Sequence, residues 1–246
     1  MRKSRSLFCI ALLVLVGRIT YAGQKSGMPA AGKESFEVAG IKAVRPNLVK
    51  TIDSLKIGDF AAAKEAFEAY DAGWNGIEVY INTRDKSMYN ELELNYQARI
   101  AKGLESATPD KDALLTDAQA MLAKYDEAIS AVQKAPPLNP LFDDVARLRM
   151  VRASLREVTP DVKAGNFAKA RKAYAEFDDK WDSIEDLIKA RSADSYTEIE
   201  KAMIQVESAL KPEKPDADQV TGLVKGIMDK YNAVVADITK DARAQQ

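Results

Sequence analysis

Apolar residues recur at helical spacing in two separate stretches of the chain. The first stretch has a three-four spacing at Phe60, Ala63, Phe67, Tyr70, Trp74, Ile77 and Ile81. The second stretch repeats it at Phe167, Ala170, Tyr174, Phe177, Trp181, Ile184 and Ile188. This spacing places the apolar side chains on one face of an α-helix. Each stretch therefore predicts a single long helix of about six turns.

The two stretches belong to an internal repeat. Gly58-Asp59-Phe60-Ala61 matches Gly165-Asn166-Phe167-Ala168 at an offset of 107 positions. At the same offset, Tyr89-x-Glu91-Leu92-Glu93 matches Tyr196-x-Glu198-Ile199-Glu200. Beyond this block the offset falls by one, so that Tyr125 aligns with Tyr231. Similarity at a fixed period indicates a duplicated structural unit.

Each copy predicts four helices and no strand. An opening helix ends at Gly58 or Gly165, where glycine is a natural C-terminal cap, and the last helix follows Asp110 or Asp216. We expect an all-α fold of two tandem helical units, as two four-helix bundles or one elongated bundle. The expected boundaries are a signal peptide at 1–22, a flexible N-terminal segment at 23–34, repeat unit 1 at 35–133, a Pro-rich linker at 134–141, repeat unit 2 at 142–240 and a C-terminal tail at 241–246.

The first 22 residues have the pattern of a secretory signal. Basic residues at the start precede an unbroken apolar run from Leu7 to Val16, and Thr20 and Ala22 provide the small residues of a cleavage site. The run is about ten residues, and a helix that spans a bilayer needs about 20. We therefore expect a periplasmic or secreted protein with no membrane span after cleavage.

Composition then excludes several classes of function. Cleavage would remove four of the 36 basic residues and none of the 37 acidic ones, which leaves a net charge of −5. An acidic surface has little attraction for nucleic acid. Cys9 is the single cysteine and histidine is absent, so the mature chain has no thiolate metal site, no His-ligated zinc, copper or haem, and no Cys or His for catalysis. We expect no enzyme and no catalytic residue.

Some polar and aromatic residues recur in both copies. Arg84 and Arg191 continue the apolar face of the long helix, at a position where an apolar residue is expected. Because an unpaired buried charge is costly, the structural interpretation pairs them with carboxylates of a neighbouring helix, Arg84 with Glu78 or Glu93 and Arg191 with Glu185 or Glu200. Trp74 and Trp181 are interpreted as core aromatics.

The functional interpretation of the recurring carboxylates is a metal site. The candidate ligands are Asp71, Glu78 and Glu93 in the first copy and Asp178, Glu185 and Glu200 in the second. Oxygen-only sites suit iron or another hard cation such as calcium, magnesium or manganese. The missing histidine excludes the Glu-x-x-His pattern of di-iron bundles.

The repeated pattern Gly-Asp/Asn-Phe-Ala, Trp-x-x-Ile-Glu and Arg-x4-Tyr-x-Glu-Leu/Ile-Glu resembles the extracytoplasmic helical segments that precede the membrane part of bacterial high-affinity iron permeases. This resemblance implies an accessory role in iron uptake, with the repeated acidic residues as contacts. The two-bundle layout is also similar to that of imelysin-like periplasmic proteins, whose His-x-x-Glu motif cannot occur here.

Two functions follow as hypotheses. The first is a periplasmic binding or accessory protein for iron or another metal ion, which works with a membrane permease or other envelope protein. The second is a protein-interaction or scaffold module of the cell envelope with no ligand of its own. The second hypothesis expects the recurring charges to be engaged in internal ion pairs. It also expects an exposed apolar or aromatic patch, for which Tyr80 is a candidate.

Overall fold

The structure, a computed structural model, describes residues 34–246. The expected signal peptide at 1–22 and the segment that follows it, up to residue 33, lie outside the described residues. Between residues 34 and 246 the chain is helical with no β-strand, which confirms the all-α class. No helix in this range is long and apolar enough to cross a membrane.

The helices of the two repeats follow one another in the same order. The first repeat contains α1 (Phe36–Lys56), α2 (Phe60–Asn82), α3 (Lys86–Asn90), a π-helical segment (Glu91–Gln97), α4 (Ala98–Leu104) and α5 (Lys111–Lys134). The second contains α6 (Leu141–Lys163), α7 (Phe167–Trp181), α8 (Glu185–Arg191), α9 (Ala193–Leu210) and α10 (Ala217–Ala244).

Packing within each repeat follows one plan, and one helix pair joins the repeats. In the first repeat α1 packs against α2 and α5, and in the second α6 packs against α7 and α10. Helix α2 also packs along α6, so the described residues form one compact unit. Gly76 lies at this crossing, where an added Cβ would come within 3.2 Å of the Ala146 carbonyl oxygen. This grouping is compatible with two four-helix bundles that share the α2–α6 contact.

Aromatic side chains fill the core of each repeat in matching positions. Trp74 and Trp181 are 1% and 2% exposed, so both belong to the core. The Tyr125 hydroxyl on α5 donates to the Ile41 carbonyl on α1 at 2.8 Å. The Tyr231 hydroxyl on α10 donates to the Leu148 carbonyl on α6 at 2.7 Å. Since Tyr125 matches Tyr231 and Ile41 matches Leu148, one buried hydrogen bond fixes the same pair of helices in both repeats.

The π-helical segment accounts for the change in the offset between the copies. Glu93 matches Glu200 at an offset of 107, whereas Leu104 and Leu210, which end α4 and α9, match at 106. The first copy therefore holds one extra residue between these points. A π-helical turn absorbs one extra residue without ending the helix. The segment Glu91–Gln97 lies where the offset changes, and the second copy has a continuous helix there.

The prediction of one long helix is right for the first copy and wrong for the second. Helix α2 is continuous over Phe60–Asn82, but the chain leaves the helix between α7 and α8. The Ser183 hydroxyl donates to the Lys180 carbonyl at 2.6 Å, and the Ser183 carbonyl accepts from Arg147 at 2.6 Å. The main chain here makes bonds between residues three apart, from the Ser183 amide to the Lys180 carbonyl at 3.1 Å and from the Ile184 amide to the Trp181 carbonyl at 3.0 Å. The side-chain bonds compete with the α-helical pattern, which is how serine disfavours a helix interior.

We predict that the turns at Gly58 and Gly165 require glycine. Both residues have a φ of 75°, a backbone conformation that costs a residue with a Cβ about 1 kcal/mol. Gly58→Ala and Gly165→Ala should each lower the free energy of unfolding by about 1 kcal/mol, measured by denaturant unfolding. Gly222→Ala is the control, because Gly222 lies inside α10 with open space around it. It should raise that free energy by up to about 1 kcal/mol, and equal losses at all three sites would contradict the prediction.

Candidate functional site

Arg84 forms a buried ion pair with a residue that the sequence did not indicate. Its guanidinium pairs with Glu37 at the start of α1, and the side chains are 15% and 1% exposed. The same guanidinium donates to the Pro136 carbonyl at 2.9 Å, and Glu37 accepts from the Leu138 amide at 2.6 Å. Arg84 therefore holds the connection between the repeats against α1 and α2. Pairing with Glu78 or Glu93 was the wrong expectation, because those carboxylates are engaged elsewhere.

Arg191 makes a different and more exposed set of ion pairs. It pairs with Asp241 and, at 3.5 Å, with Asp237, both on α10. Neither partner is Glu185 or Glu200, the carboxylates expected from the sequence. The two recurring arginines thus share a position in the repeat and an ion-pairing role, but each secures a different segment of the chain.

We predict that the Arg84 pair matters far more for stability than the Arg191 pair. Glu37→Gln would leave a guanidinium without its carboxylate in a buried site, which costs about 3 kcal/mol of unfolding free energy. Asp241→Asn is the matched control, because its side chain is 40% exposed and such pairs contribute up to about 1 kcal/mol. Thermal and denaturant unfolding of both variants measure the difference. Similar small losses for both variants would show that Glu37 is not a structural anchor.

The candidate carboxylates of the first repeat lie on α2 and on the π-helical segment. Gln97 donates from its side-chain amide to Asp71. Arg149 of α6 donates to Glu78 at 2.8 Å. The Trp74 indole nitrogen donates to Glu93. Each carboxylate thus accepts a hydrogen bond from a different group, and we call Asp71, Glu78 and Glu93, with Gln97 and Tyr70, the repeat-1 polar cluster.

Removal from water raises the pKa of all three carboxyl groups in this cluster. Burial raises the pKa of Asp71, against an opposing effect of the Gln97 hydrogen bond. Burial likewise raises the pKa of Glu78, although the positive charge of Arg149 opposes it. For Glu93 burial again raises the pKa, and the negative charges of Glu78 and Asp71 raise it further. Glu78 is compensated by its ion pair with Arg149, whereas Asp71 and Glu93 form no ion pair within the described residues.

Two oxygen atoms in the cluster have no hydrogen-bond partner within the described residues. They are the Tyr70 hydroxyl and the Gln97 side-chain carbonyl, and both are buried. Buried polar atoms without a partner are rare and costly. At the offset of 107 Tyr70 matches Phe177, and at the offset of 106, which holds after the extra residue of the π-helical segment, Gln97 matches the buried Met203. The second repeat therefore has no counterpart of these two unpaired oxygens. The change from a polar to an apolar residue between the copies was the sequence signal that could have identified Gln97 as a candidate site residue.

The candidate carboxylates of the second repeat lie in matching places but lack these neighbours. Asp178 is half-buried on α7. Glu185 at the start of α8 accepts a hydrogen bond from the Tyr196 hydroxyl at 3.3 Å. Glu200 accepts from the Trp181 indole nitrogen, as Glu93 does from Trp74. The Trp–Glu contact is therefore common to both copies, and the hydrogen bond between Tyr196 and Glu185 matches one between Tyr89 and Glu78 in the first copy.

The oxygen atoms of the repeat-1 polar cluster suit a hard cation, but they are not arranged as a complete metal-binding site. In residues 34–246 no group of three or more Asp, Glu, His or Cys side chains is arranged to hold a metal ion. The oxygens of Asp71, Glu93, Gln97 and Tyr70 are nevertheless the atom type that such cations prefer. A cation would have to draw on amide or hydroxyl oxygen as well as carboxylate.

Searches of protein-family models, curated proteins and solved structures found no match to this chain. The fold and the polar cluster define it as a duplicated all-α protein with a half-buried cluster of acidic side chains in its first repeat.

We predict that the unpaired hydroxyl of Tyr70 destabilises the folded protein. Tyr70→Phe removes that hydroxyl and should raise the free energy of unfolding by about 1 kcal/mol. Tyr125→Phe is the control in the same aromatic cluster, since the Tyr125 hydroxyl does have a partner. This control should lose about 1 kcal/mol in the same denaturant titration. A loss of stability in Tyr70→Phe would mean that its hydroxyl is hydrogen-bonded in solution.

Proposed function

We propose that this protein is a secreted or periplasmic helical binding protein that serves metal-ion acquisition and binds one hard cation at the repeat-1 polar cluster. The observation that supports the proposal is the pair of buried, unpaired oxygens of Tyr70 and Gln97 beside carboxyl groups whose pKa burial raises. A cation would supply both the missing partner and the missing positive charge. The protein would act by binding, without catalysis.

Asp71, Glu93 and Gln97 are the residues that would hold the cation. Gln97 presents its amide nitrogen to Asp71 and leaves its carbonyl oxygen unpaired. Rotation of this amide by half a turn would exchange the two atoms. A cation would favour the rotated state, because it would then meet oxygen from both Gln97 and Asp71. Iron, manganese and calcium are the candidate ions, since oxygen ligands suit them.

One site per chain follows from the difference between the repeats. Phe177 and Met203 replace Tyr70 and Gln97 in the second repeat, which removes two of the oxygens. The second repeat would then have a structural role. The resemblance to the segments of iron permeases suggests the destination of the ion, a membrane permease or another envelope protein.

The test is a calorimetric and thermal-shift titration of residues 23–246 with ferric, ferrous, manganese and calcium ions. We expect saturable binding of one ion per chain and a higher melting temperature, because the ion binds only the folded state. Asp71→Asn, Glu93→Gln and Gln97→Met should abolish the shift, whereas Glu200→Gln, the change in the second repeat that matches Glu93→Gln, should leave it intact. Binding that survives in Gln97→Met and is lost in Glu200→Gln would reject this site.

The pH dependence of binding provides a further check on the same site. Burial raises the pKa of Asp71 and Glu93, so protons compete with the cation at a higher pH than for an exposed carboxylate. The affinity should therefore fall as the pH is lowered through these raised pKa values, starting above the ordinary value of about 4. The titration repeated between pH 7 and pH 5 measures this fall, and a constant affinity would argue against carboxylate ligands.

The scaffold function remains the second candidate, because the recurring charges are engaged within the fold. Arg84, Arg191 and Glu78 all form ion pairs between helices. Tyr80, the residue expected on an exposed aromatic patch, is 2% exposed, so that part of the expectation is wrong. Failure of every metal ion to bind, together with capture of an envelope protein by the tagged chain, would favour this function.

A further inference from the structure

A groove between α6 and α10 collects positive charge on an otherwise acidic protein. It has a volume of about 470 Å³ and is lined by Arg149 and Arg152 of α6 and by Lys240 and Arg243 of α10. Val235 and Ala236 provide an apolar part of its wall. No carboxylate lines this groove among the described residues, although acidic residues outnumber basic ones by one in the whole chain.

The comparison of the repeats explains why Arg152 has no carboxylate partner in an ion pair within the described residues. Its counterpart Arg45 forms a two-pronged ion pair with Asp126, at 2.6 and 2.7 Å. At the position that matches Asp126 the second repeat has Asn232, to which Arg152 donates at 2.5 Å. Asparagine keeps the hydrogen bond and removes the negative charge. The same arginine is thus neutralised by a carboxylate in the first repeat and by none in the second.

The surroundings of Arg152 add to this excess of positive charge. Burial lowers the pKa of Arg152, and the positive charges of Arg149 and Arg156 lower it further. The Nε atoms of Arg149 and Arg152 are both buried without a hydrogen-bond partner within the described residues. A bound anion would reduce the repulsion between these arginines and would accept hydrogen bonds from their unused N–H groups. Guanidinium groups bind carboxylate and phosphate oxygens in this way, through paired hydrogen bonds.

We propose that this groove, the α6–α10 basic groove, is a binding site for a small organic or inorganic anion that carries carboxylate or phosphate groups. Arg152 makes the central contact, and Lys240 and Arg243 at the exposed rim hold the outer charges. The volume is within the range of small-molecule sites, and the apolar wall accommodates the carbon body of an organic anion. The groove shares no residue with the cation site proposed for the first repeat, although Arg149 at its edge pairs with Glu78 of the repeat-1 polar cluster, and the two ligands have opposite charge.

The experiment is a calorimetric titration of the mature chain, in a low-salt buffer free of other multivalent anions, with phosphate, pyrophosphate and citrate. We expect one saturable site per chain for at least one of these anions. Preference for phosphate and pyrophosphate over citrate would identify a phosphate ligand, and the reverse order a carboxylate ligand. Absence of saturable binding for all three anions would overturn the proposal.

Asn232→Asp is the decisive variant, because it restores the carboxylate that the first repeat has at this position. It should weaken anion binding by at least about tenfold and should raise the melting temperature of the free protein, so loss of folding cannot explain the result. Gln133→Glu adds the same charge at an exposed position on α5 and should leave the affinity within about twofold. Equal weakening by both variants would show a general charge effect and would overturn the site.

Discussion

The polar ends of buried aromatic side chains determine how the helices of each repeat are arranged. A buried indole N–H or phenol O–H is costly without an acceptor, and two such groups in each repeat donate to an acceptor on another helical element. Trp74 donates to Glu93 on the π-helical segment, and Tyr125 donates to the Ile41 carbonyl on α1. Trp181 and Tyr231 make the matching bonds. These directional bonds fix the register that apolar packing alone leaves open.

Around this shared core the two repeats use the same positions differently. Tyr70 and Gln97 place unpaired oxygens in the first repeat, where the second has Phe177 and Met203. Asp126 neutralises Arg45 in the first repeat, where Asn232 leaves Arg152 charged in the second. The first repeat therefore has buried oxygens without a partner beside its carboxylates, and the second has an arginine without a carboxylate partner beside other basic residues. Each proposed site lies at positions where the two copies have different side chains and therefore different hydrogen-bond partners.

The connection between the repeats depends on one buried ion pair. Glu37 and Arg84 hold the Pro136 carbonyl and the Leu138 amide through hydrogen bonds. Helix α2 then packs along α6, with Gly76 allowing the close approach. This contact brings Arg149 of the second repeat to Glu78 of the first. The two repeats are thus coupled electrostatically as well as by packing, through a glutamate that both copies share and an arginine whose counterpart in the first copy is Lys42.

The sequence by itself determined the helical class, the duplication, the core positions of Trp74 and Trp181, and the turns at Gly58 and Gly165, because these depend on local spacing and backbone conformation. Only the tertiary structure decided the partners of Arg84 and Arg191, since an ion pair between distant segments depends on how helices pack. Only the tertiary structure also revealed the unpaired oxygen of Gln97 and the α6–α10 basic groove, because the residues of this groove are up to 94 positions apart along the chain. Helical spacing identifies the face of a helix that is buried, but it does not specify which other helix covers that face.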